Sequence, residues 1–129
     1  MINNILYIGS GTENVYALNA TSGTLIWKYT GGKDSVWGSP TLAYGNLYIQ
    51  DLAGYIHALN SNNGNLVWLY KTGALPSSSY SSPAAANGVI YIGSQDKKIY
   101  ALDPYTGNVL CVFGNNVDKP DILSYVTAN

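Results

Sequence analysis

The chain has little charge and few of the side chains from which most catalytic and metal sites are built. Its 129 residues include one Cys, one His and no Arg, and six Lys against seven acidic residues leave a net charge of −1. One Cys excludes an intrachain disulfide. Six scattered Lys do not form the basic stripe that nucleic-acid binding requires. A single His without a surrounding motif indicates neither a zinc site nor a Ser-His-Asp triad.

Long apolar runs and targeting signals are also missing. No run approaches the roughly 20 apolar residues of a membrane-spanning helix, and the first four residues lack the charged and apolar regions of a signal peptide. We therefore expect no membrane span, and the compartment is left undetermined. With 47% hydrophobic residues and 10% charged residues, the chain is predicted to fold as one globular domain with a buried core.

What the chain does contain is an internal repeat. Residues 58–68 read Ala-Leu-Asn, then Gly four residues after the Asn, then Trp four residues after the Gly. Residues 17–27 repeat this pattern, and residues 101–111 repeat it with Asp103 for Asn and Cys111 for Trp. The copies lie 41 and 43 residues apart. A period near 42 indicates propeller blades or a solenoid array.

Short apolar runs between turn residues predict an all-β chain. Runs at 5–10, 15–19 and 25–29 are rich in β-branched and aromatic residues, and their connections are short enough for antiparallel hairpins. Stretches 37–43 and 80–86 add a small-residue strand, in which Pro40 and Pro83 fit the first residues of an edge strand. We label these strands A (small residues), B (Tyr-Ile), C (Ala-Leu-Asn) and D (Trp).

The repeats predict three blades in permuted order, BCD-ABCD-ABCD-A. The approximate repeat ranges are 5–46, 47–88 and 89–129, within a single domain spanning 1–129. The last strand A is predicted at 122–128, because Ser124 follows Cys111 by about the distance that separates Ser39 from Trp27.

The residues of the turn between strands C and D predict its backbone conformation. Asn19, Asn60 and Asp103 can bond their own backbone in an Asx turn, and the Gly four residues later can take a positive φ. The Trp residues are then predicted to pack between neighbouring sheets. We interpret the whole motif as structural; its residues are Ala17, Gly23, Trp27, Ala58, Gly64, Trp68, Ala101, Asp103 and Gly107.

This motif, preceded by Tyr-Ile-Gly-Ser, resembles the tryptophan-docking repeat of the PQQ-like (quinoprotein-type) β-propellers. The resemblance covers nearly the whole chain, although Cys111 departs from it. It implies a propeller of four-stranded antiparallel blades, and relatives that are often extracytoplasmic. Quinoprotein dehydrogenases of this family hold PQQ with a Ca²⁺ site of acidic and amide side chains, and many have an adjacent Cys-Cys disulfide. No matching constellation occurs here, so we expect no cofactor, no metal and no catalytic residues.

Three blades are too few for a closed ring, because propellers typically have four to eight. An open arc would expose apolar faces and strand edges. We therefore expect a homodimer that forms a six-bladed ring, in which strand 121–128 of each chain completes the first blade of the other. A nine-bladed ring of three chains and a piece of a longer propeller are the alternatives.

The predicted function is a protein-interaction or scaffold module without enzymatic activity. The alternatives are a small-ligand or glycan binder that uses the ring funnel, a PQQ-dependent enzyme, and a minimal repeat protein with no selected ligand. A ligand face would be formed by the D–A loops, with candidates Lys33, Asp34, Ser77, Asp118, Lys119 and Asp121. His57 is interpreted as a packed or surface strand residue, and Cys111 as a buried thiol.

Overall fold

The computed structural model describes residues 4–36, 38–73, 82–94 and 97–114. Within these residues the chain forms eleven strands and no helix, which confirms the predicted all-β fold. The strands are β1 (Ile5–Gly9), β2 (Val15–Asn19), β3 (Leu25–Tyr29), β4 (Thr41–Ala43), β5 (Asn46–Gln50), β6 (Tyr55–Asn60), β7 (Leu66–Lys71), β8 (Ala84–Ala86), β9 (Val89–Ser94), β10 (Lys98–Leu102) and β11 (Val109–Phe113).

The strands form three antiparallel sheets, and within each sheet consecutive strands pair with each other. Blade 1 consists of β1, β2 and β3, blade 2 of β4 to β7, and blade 3 of β8 to β11. Blades 2 and 3 are the four-stranded units that the sequence predicts. Blade 1 has three described strands, and the strand predicted to complete a first blade, 121–128, lies outside the described residues.

The inner strands β4 and β8 have three residues each and are shorter than the seven-residue stretches predicted from the sequence. Each begins directly after a proline, Pro40 or Pro83, whose nitrogen has no hydrogen to donate to a ladder. Before the proline the backbone bonds elsewhere, since the amide of Ser39 donates to Oγ of Ser82 over 2.9 Å. The Thr41 hydroxyl donates to the carbonyl of Pro83, so the two inner strands lie side by side.

Each blade repeats the same register irregularity. The register shifts, as at a β-bulge, between Ala17 and Leu18, between Ala58 and Leu59 and between Ala101 and Leu102, because the outer strand has one extra residue at each place. The alanine before each bulge lies opposite the motif position on the outer strand, which is Trp27, Trp68 or Cys111. The repeat in the sequence is therefore a repeat in space.

The core lies between blades, in two clusters. At the junction of blades 1 and 2, Trp27 and the small residues of β2 pack against Leu47, Ile49 and Leu59. At the junction of blades 2 and 3, Trp68 and Tyr48 pack against Ile90, Ile92 and Leu102. Each junction joins the motif face of one blade to the opposite face of the next.

Candidate interaction surface

The three C–D turns have one geometry, which confirms the predicted Asx turns. Oδ1 of Asn19 accepts the amides of Thr21 and Ser22 at 2.9 and 3.1 Å. The side chains of Asn60 and Asp103 accept the equivalent amides at 2.8 to 3.3 Å. The glycine that follows has φ of +76° in all three turns. A side chain at that glycine would strain the backbone.

The glycine of one blade receives the tryptophan of the blade before it. A methyl group at Gly64 would lie 2.5 Å from Cε3 of Trp27, and one at Gly107 would lie 2.6 Å from Cδ2 of Trp68. Glycine is therefore required twice over, by its φ and by the approach of the ring. The sequence predicted tryptophan packing between sheets, and the structure identifies the surface that each ring contacts.

At each junction, one backbone carbonyl oxygen accepts two side-chain hydrogen bonds from the preceding blade. The carbonyl of Ser61 accepts Nε1 of Trp27 at 3.0 Å and the hydroxyl of Tyr7 at 3.2 Å. The carbonyl of Pro104 accepts Nε1 of Trp68 and the hydroxyl of Tyr48, both at 2.8 Å. Burial raises the pKa of both tyrosines, and the hydrogen bond from Tyr7 to Ser61 offsets only part of the rise at Tyr7. Sequence reasoning missed this role; the recurring Tyr-Ile pair of strand B was its signal.

The first turn is built in the same way but receives no described ring. No atom of the described residues lies within 4 Å of a methyl group placed at Gly23, although its φ equals that of Gly64 and Gly107. At the other end of the arc, Cys111 occupies the tryptophan position of blade 3 and is partly exposed, not buried as predicted. Its side chain is far smaller than a tryptophan ring.

The face of blade 1 around this turn is apolar and open. Leu6 and Ile8 of β1 are 44% and 46% exposed, whereas Leu47 and Ile49, their counterparts on β5, are 1% and 0% exposed. We call Leu6, Ile8, Tyr16 and Leu18 the open face of blade 1. On blades 2 and 3 the corresponding residues are buried by the preceding blade.

His57 is fully buried in the junction of blades 1 and 2, as a packed strand residue. Its Nε2 lies 2.8 Å from Oδ2 of Asp51, and its Nδ1 lies 2.9 Å from the hydroxyl of Tyr29. The Asp51 carboxylate also accepts the amides of Lys33, Ala53 and Tyr55 at 3.0 Å. Burial raises the pKa of Tyr29, and the nearby Asp51 charge adds to the rise.

The predicted ligand-face loops are only partly described. Lys33 is exposed, and the partly buried Asp34 accepts the amide of Ser35 at 2.7 Å through Oδ1. The loop that carries them contacts the B–C turns of both neighbouring blades, because the Val36 amide donates to Ser10 and the Leu52 amide donates to Ser35, each over 2.9 Å. Ser77, Asp118, Lys119 and Asp121 lie outside the described residues.

In the described part of the chain, no three His, Cys, Asp or Glu side chains come together as a group that could hold a metal ion. The same residues include no helix long and apolar enough to cross a membrane.

The repeat matches a known family over most of its length. The family model described as outer membrane protein assembly factor BamB, a PQQ-repeat family, matches residues 2–111. The chain belongs to this family. No curated protein sequence matches it significantly.

Several solved structures have the same fold. BamB from Moraxella catarrhalis is 25% identical with a TM-score of 0.76, over 86% of this chain and 33% of that protein. The quinohemoprotein alcohol dehydrogenase ADHIIG from Pseudomonas putida HK5 is 26% identical with a TM-score of 0.76, over 88% and 19%. That of Comamonas testosteroni is 23% identical with a TM-score of 0.75, over 88% and 20%. This chain thus spans a third or less of each protein, and its similar structures include both an assembly factor and enzymes.

Proposed function

We propose that this chain is a non-enzymatic protein-interaction module that works as a scaffold, and that its first partner is a second copy of itself. Two copies join head to tail around a common axis, so that blade 3 of each covers the open face of blade 1 of the other. In a six-bladed ring each blade turns by roughly 60°, so two three-bladed arcs close the circle.

The observation that carries the proposal is the contrast between equivalent residues. Leu6 and Ile8 are nearly half exposed, while Leu47 and Ile49 are buried against blade 1. An apolar surface of this kind on a propeller blade is characteristic of a face that another element covers. Blade 3 offers a complementary motif face, on which Cys111 lies opposite Ala101 as Trp68 lies opposite Ala58.

A scaffold role without a quinone cofactor agrees with the environment of the buried Asp51. The Asp51 carboxylate is fully buried and engages His57 and three backbone amides. It is therefore poorly placed to serve as a Ca²⁺ ligand, since a bound cation would have to replace these donors. Addition of PQQ with Ca²⁺ is expected to give no absorbance shift and no dye-linked alcohol oxidation, and either response would contradict this part of the proposal.

The experiment that tests the assembly is light scattering across a dilution series. We expect a mass twice the 13.8 kDa of one chain, falling to the single-chain mass in the double variant Leu6→Glu with Ile8→Glu. The matched control is Leu66→Glu with Val67→Glu, because these residues of β7 are 47% and 44% exposed but lie away from the open face. A wild-type monomer, or dissociation of the control as well, would contradict the proposal.

One observation favours a second candidate, a small polar ligand at the junction of blades 2 and 3. Gln50 is 2% exposed, and neither its amide nitrogen nor its amide oxygen has a hydrogen-bond partner in the described part of the chain. Glycine occupies the equivalent positions of the other blades, Gly9 and Gly93. Buried amides normally find partners. A panel of sugars screened by tryptophan fluorescence tests this candidate, and a response that Gln50→Leu abolishes would support it.

A further inference from the structure

The inner edge of blade 1 differs from that of the other two blades. Inner strands β4 and β8 pair with β5 and β9, whereas β1 pairs only with β2 in the described part of the chain. One edge of β1 therefore presents backbone amides and carbonyls without a described strand partner. Such an edge is a template for another extended segment.

A groove lies beside this edge. Two adjoining cavities of about 220 and 290 Å³ separate β1 from β4. Ile5 and Tyr7 of β1 form one wall, and Leu42 of β4 forms the other. The groove is thus bounded by a strand edge on one side and by the inner strand of the next blade on the other, which is the position that β8 occupies beside β9.

We propose that residues 126–128 of a second copy bind in this groove as an antiparallel strand on β1. The sequence of this segment supports the assignment. Residues 124–129 read Ser-Tyr-Val-Thr-Ala-Asn, and 82–87, which contain β8, read Ser-Pro-Ala-Ala-Ala-Asn. The Ser, the last Ala and the Asn coincide. The segment has no large side chain at 126–128, as a groove next to another inner strand requires.

The register follows from β4 and β8. In blade 2, Thr41 pairs with Tyr48, Leu42 with Leu47 and Ala43 with Asn46, and β8 pairs with β9 in the same way. Transferred to blade 1, this register places Val126 opposite Tyr7, Thr127 opposite Leu6 and Ala128 opposite Ile5. A shift by one residue would reverse the side-chain faces.

The segment belongs to a second copy because each inner strand lies one blade beyond the strand that precedes it. From Tyr29 to Thr41 the chain advances 12 residues, from Lys71 to Ala84 it advances 13, and Val126 lies 13 residues after Phe113. The first two connections each lead to the next blade. The third would lead to the blade that follows blade 3, which in the proposed two-copy ring is blade 1 of the partner. This inference therefore rests on the proposed assembly.

A register-specific disulfide tests the inference in the full-length chain. Cys111→Ser removes the native thiol, and Leu6→Cys with Thr127→Cys then places two cysteines directly opposite each other, within the distance that a disulfide spans. The control pairs Leu6→Cys with Val126→Cys, whose side chains point to opposite faces of the sheet. We expect mild oxidation to give a covalent dimer with the first pair, several times more efficiently than with the control.

The other possible outcomes test separately the second copy as occupant, the strand addition and the proposed assembly. A disulfide within a single chain would overturn the second copy as the occupant. Equal cross-linking of both pairs, or none in a protein whose reduced mass is that of a dimer, would overturn strand addition but leave the proposed assembly. A reduced monomer without a cross-link would contradict both.

A second variant addresses the case in which the cysteine pairs fail to fold. Val126→Pro removes an amide hydrogen that the added strand would donate to β1, because position 126 corresponds to Thr41, which lies in a hydrogen-bonded pair of the ladder, and it leaves the described residues unchanged. We expect the dissociation constant of the dimer to rise at least about tenfold, and an unchanged constant would contradict the strand addition.

Discussion

Blades 1 and 2 can be compared directly, because the same face is open on blade 1 and covered on blade 2. On blade 2 the face is covered by Trp27 and the small residues of β2, and Leu47 and Ile49 are buried. On blade 1 the equivalent Leu6 and Ile8 are exposed. The side chains hardly differ, so their burial is determined by the presence of a preceding blade and not by the sequence of the strand. The following four predictions test this difference.

The largest effect is expected from loss of a docked ring. Trp68→Ala removes a nearly buried ring that packs against Gly107 and donates to the Pro104 carbonyl. We expect the free energy of unfolding to fall by about 3–5 kcal/mol, which is the usual cost of truncating a buried aromatic residue. Urea unfolding measures this change. A loss below about 1 kcal/mol would mean that the junction of blades 2 and 3 depends little on its tryptophan.

The covered and open turns can be compared with one substitution at two positions. Gly64→Ala and Gly23→Ala both force alanine to a φ of +76°, at a cost of about 1–2 kcal/mol. Only at Gly64 does the new methyl group also collide with Trp27. We expect Gly64→Ala to be the more destabilising by about 1–3 kcal/mol, through overpacking. Equal losses in urea unfolding would show that the ring adapts to the methyl group.

Adding a ring should strengthen the association. Cys111→Trp restores the docking residue of blade 3 opposite Ala101, where it can pack on Gly23 of a second copy. We expect the dissociation constant from the dilution series to fall by about tenfold or more, which corresponds to roughly 1.4 kcal/mol. Val112→Trp is the control, since it places the same ring on the opposite face of β11. Similar tightening by both variants would contradict a specific contact at Gly23.

The smallest effect concerns pH. Burial raises the pKa of Tyr48, so the folded chain keeps this phenolic proton at a pH where the unfolded chain has lost it. The contribution of Tyr48 to stability is therefore fully present below the ordinary tyrosine pKa of about 10, and it is lost as the pH rises through the raised pKa of the folded chain. We expect the unfolding free energy to fall less steeply above pH 10 in Tyr48→Phe than in the wild type. Parallel slopes would exclude Tyr48 as a contributor.

Much of the fold could be predicted because its determinants are local. The bounds of β2 and β3 follow from apolar runs between turn residues, and the Asx turns follow from Asn19, Asn60 and Asp103. The inner strands are shorter than predicted because residues such as Ser39 bond to the neighbouring blade and not along a ladder. That contact depends on how the blades are arranged, which local patterns do not encode.

The candidate surface was only partly predictable, for the same reason. The sequence indicated exposed faces on an open arc, but it did not identify the groove beside β1, or Gly23 as a docking turn that receives no ring from the described residues. Both features depend on what lies next to a residue in space. The partners of His57 were also missed, because Tyr29 is 28 residues away in the chain and belongs to another blade.

The buried set of Tyr29, His57 and Asp51 has a consequence for how the blades find one another during folding. The other strands C carry Tyr16 and Tyr100 where blade 2 carries His57, so an imidazole bound to a tyrosine and a carboxylate distinguishes this junction from the next. If blade 2 packed against blade 3 in place of blade 1, Phe113 would lie where Tyr29 lies, and the imidazole would be buried without a hydroxyl partner, which is costly. The contacts of His57 thus distinguish blades that are otherwise similar, and they destabilise mispaired intermediates before the arc is complete.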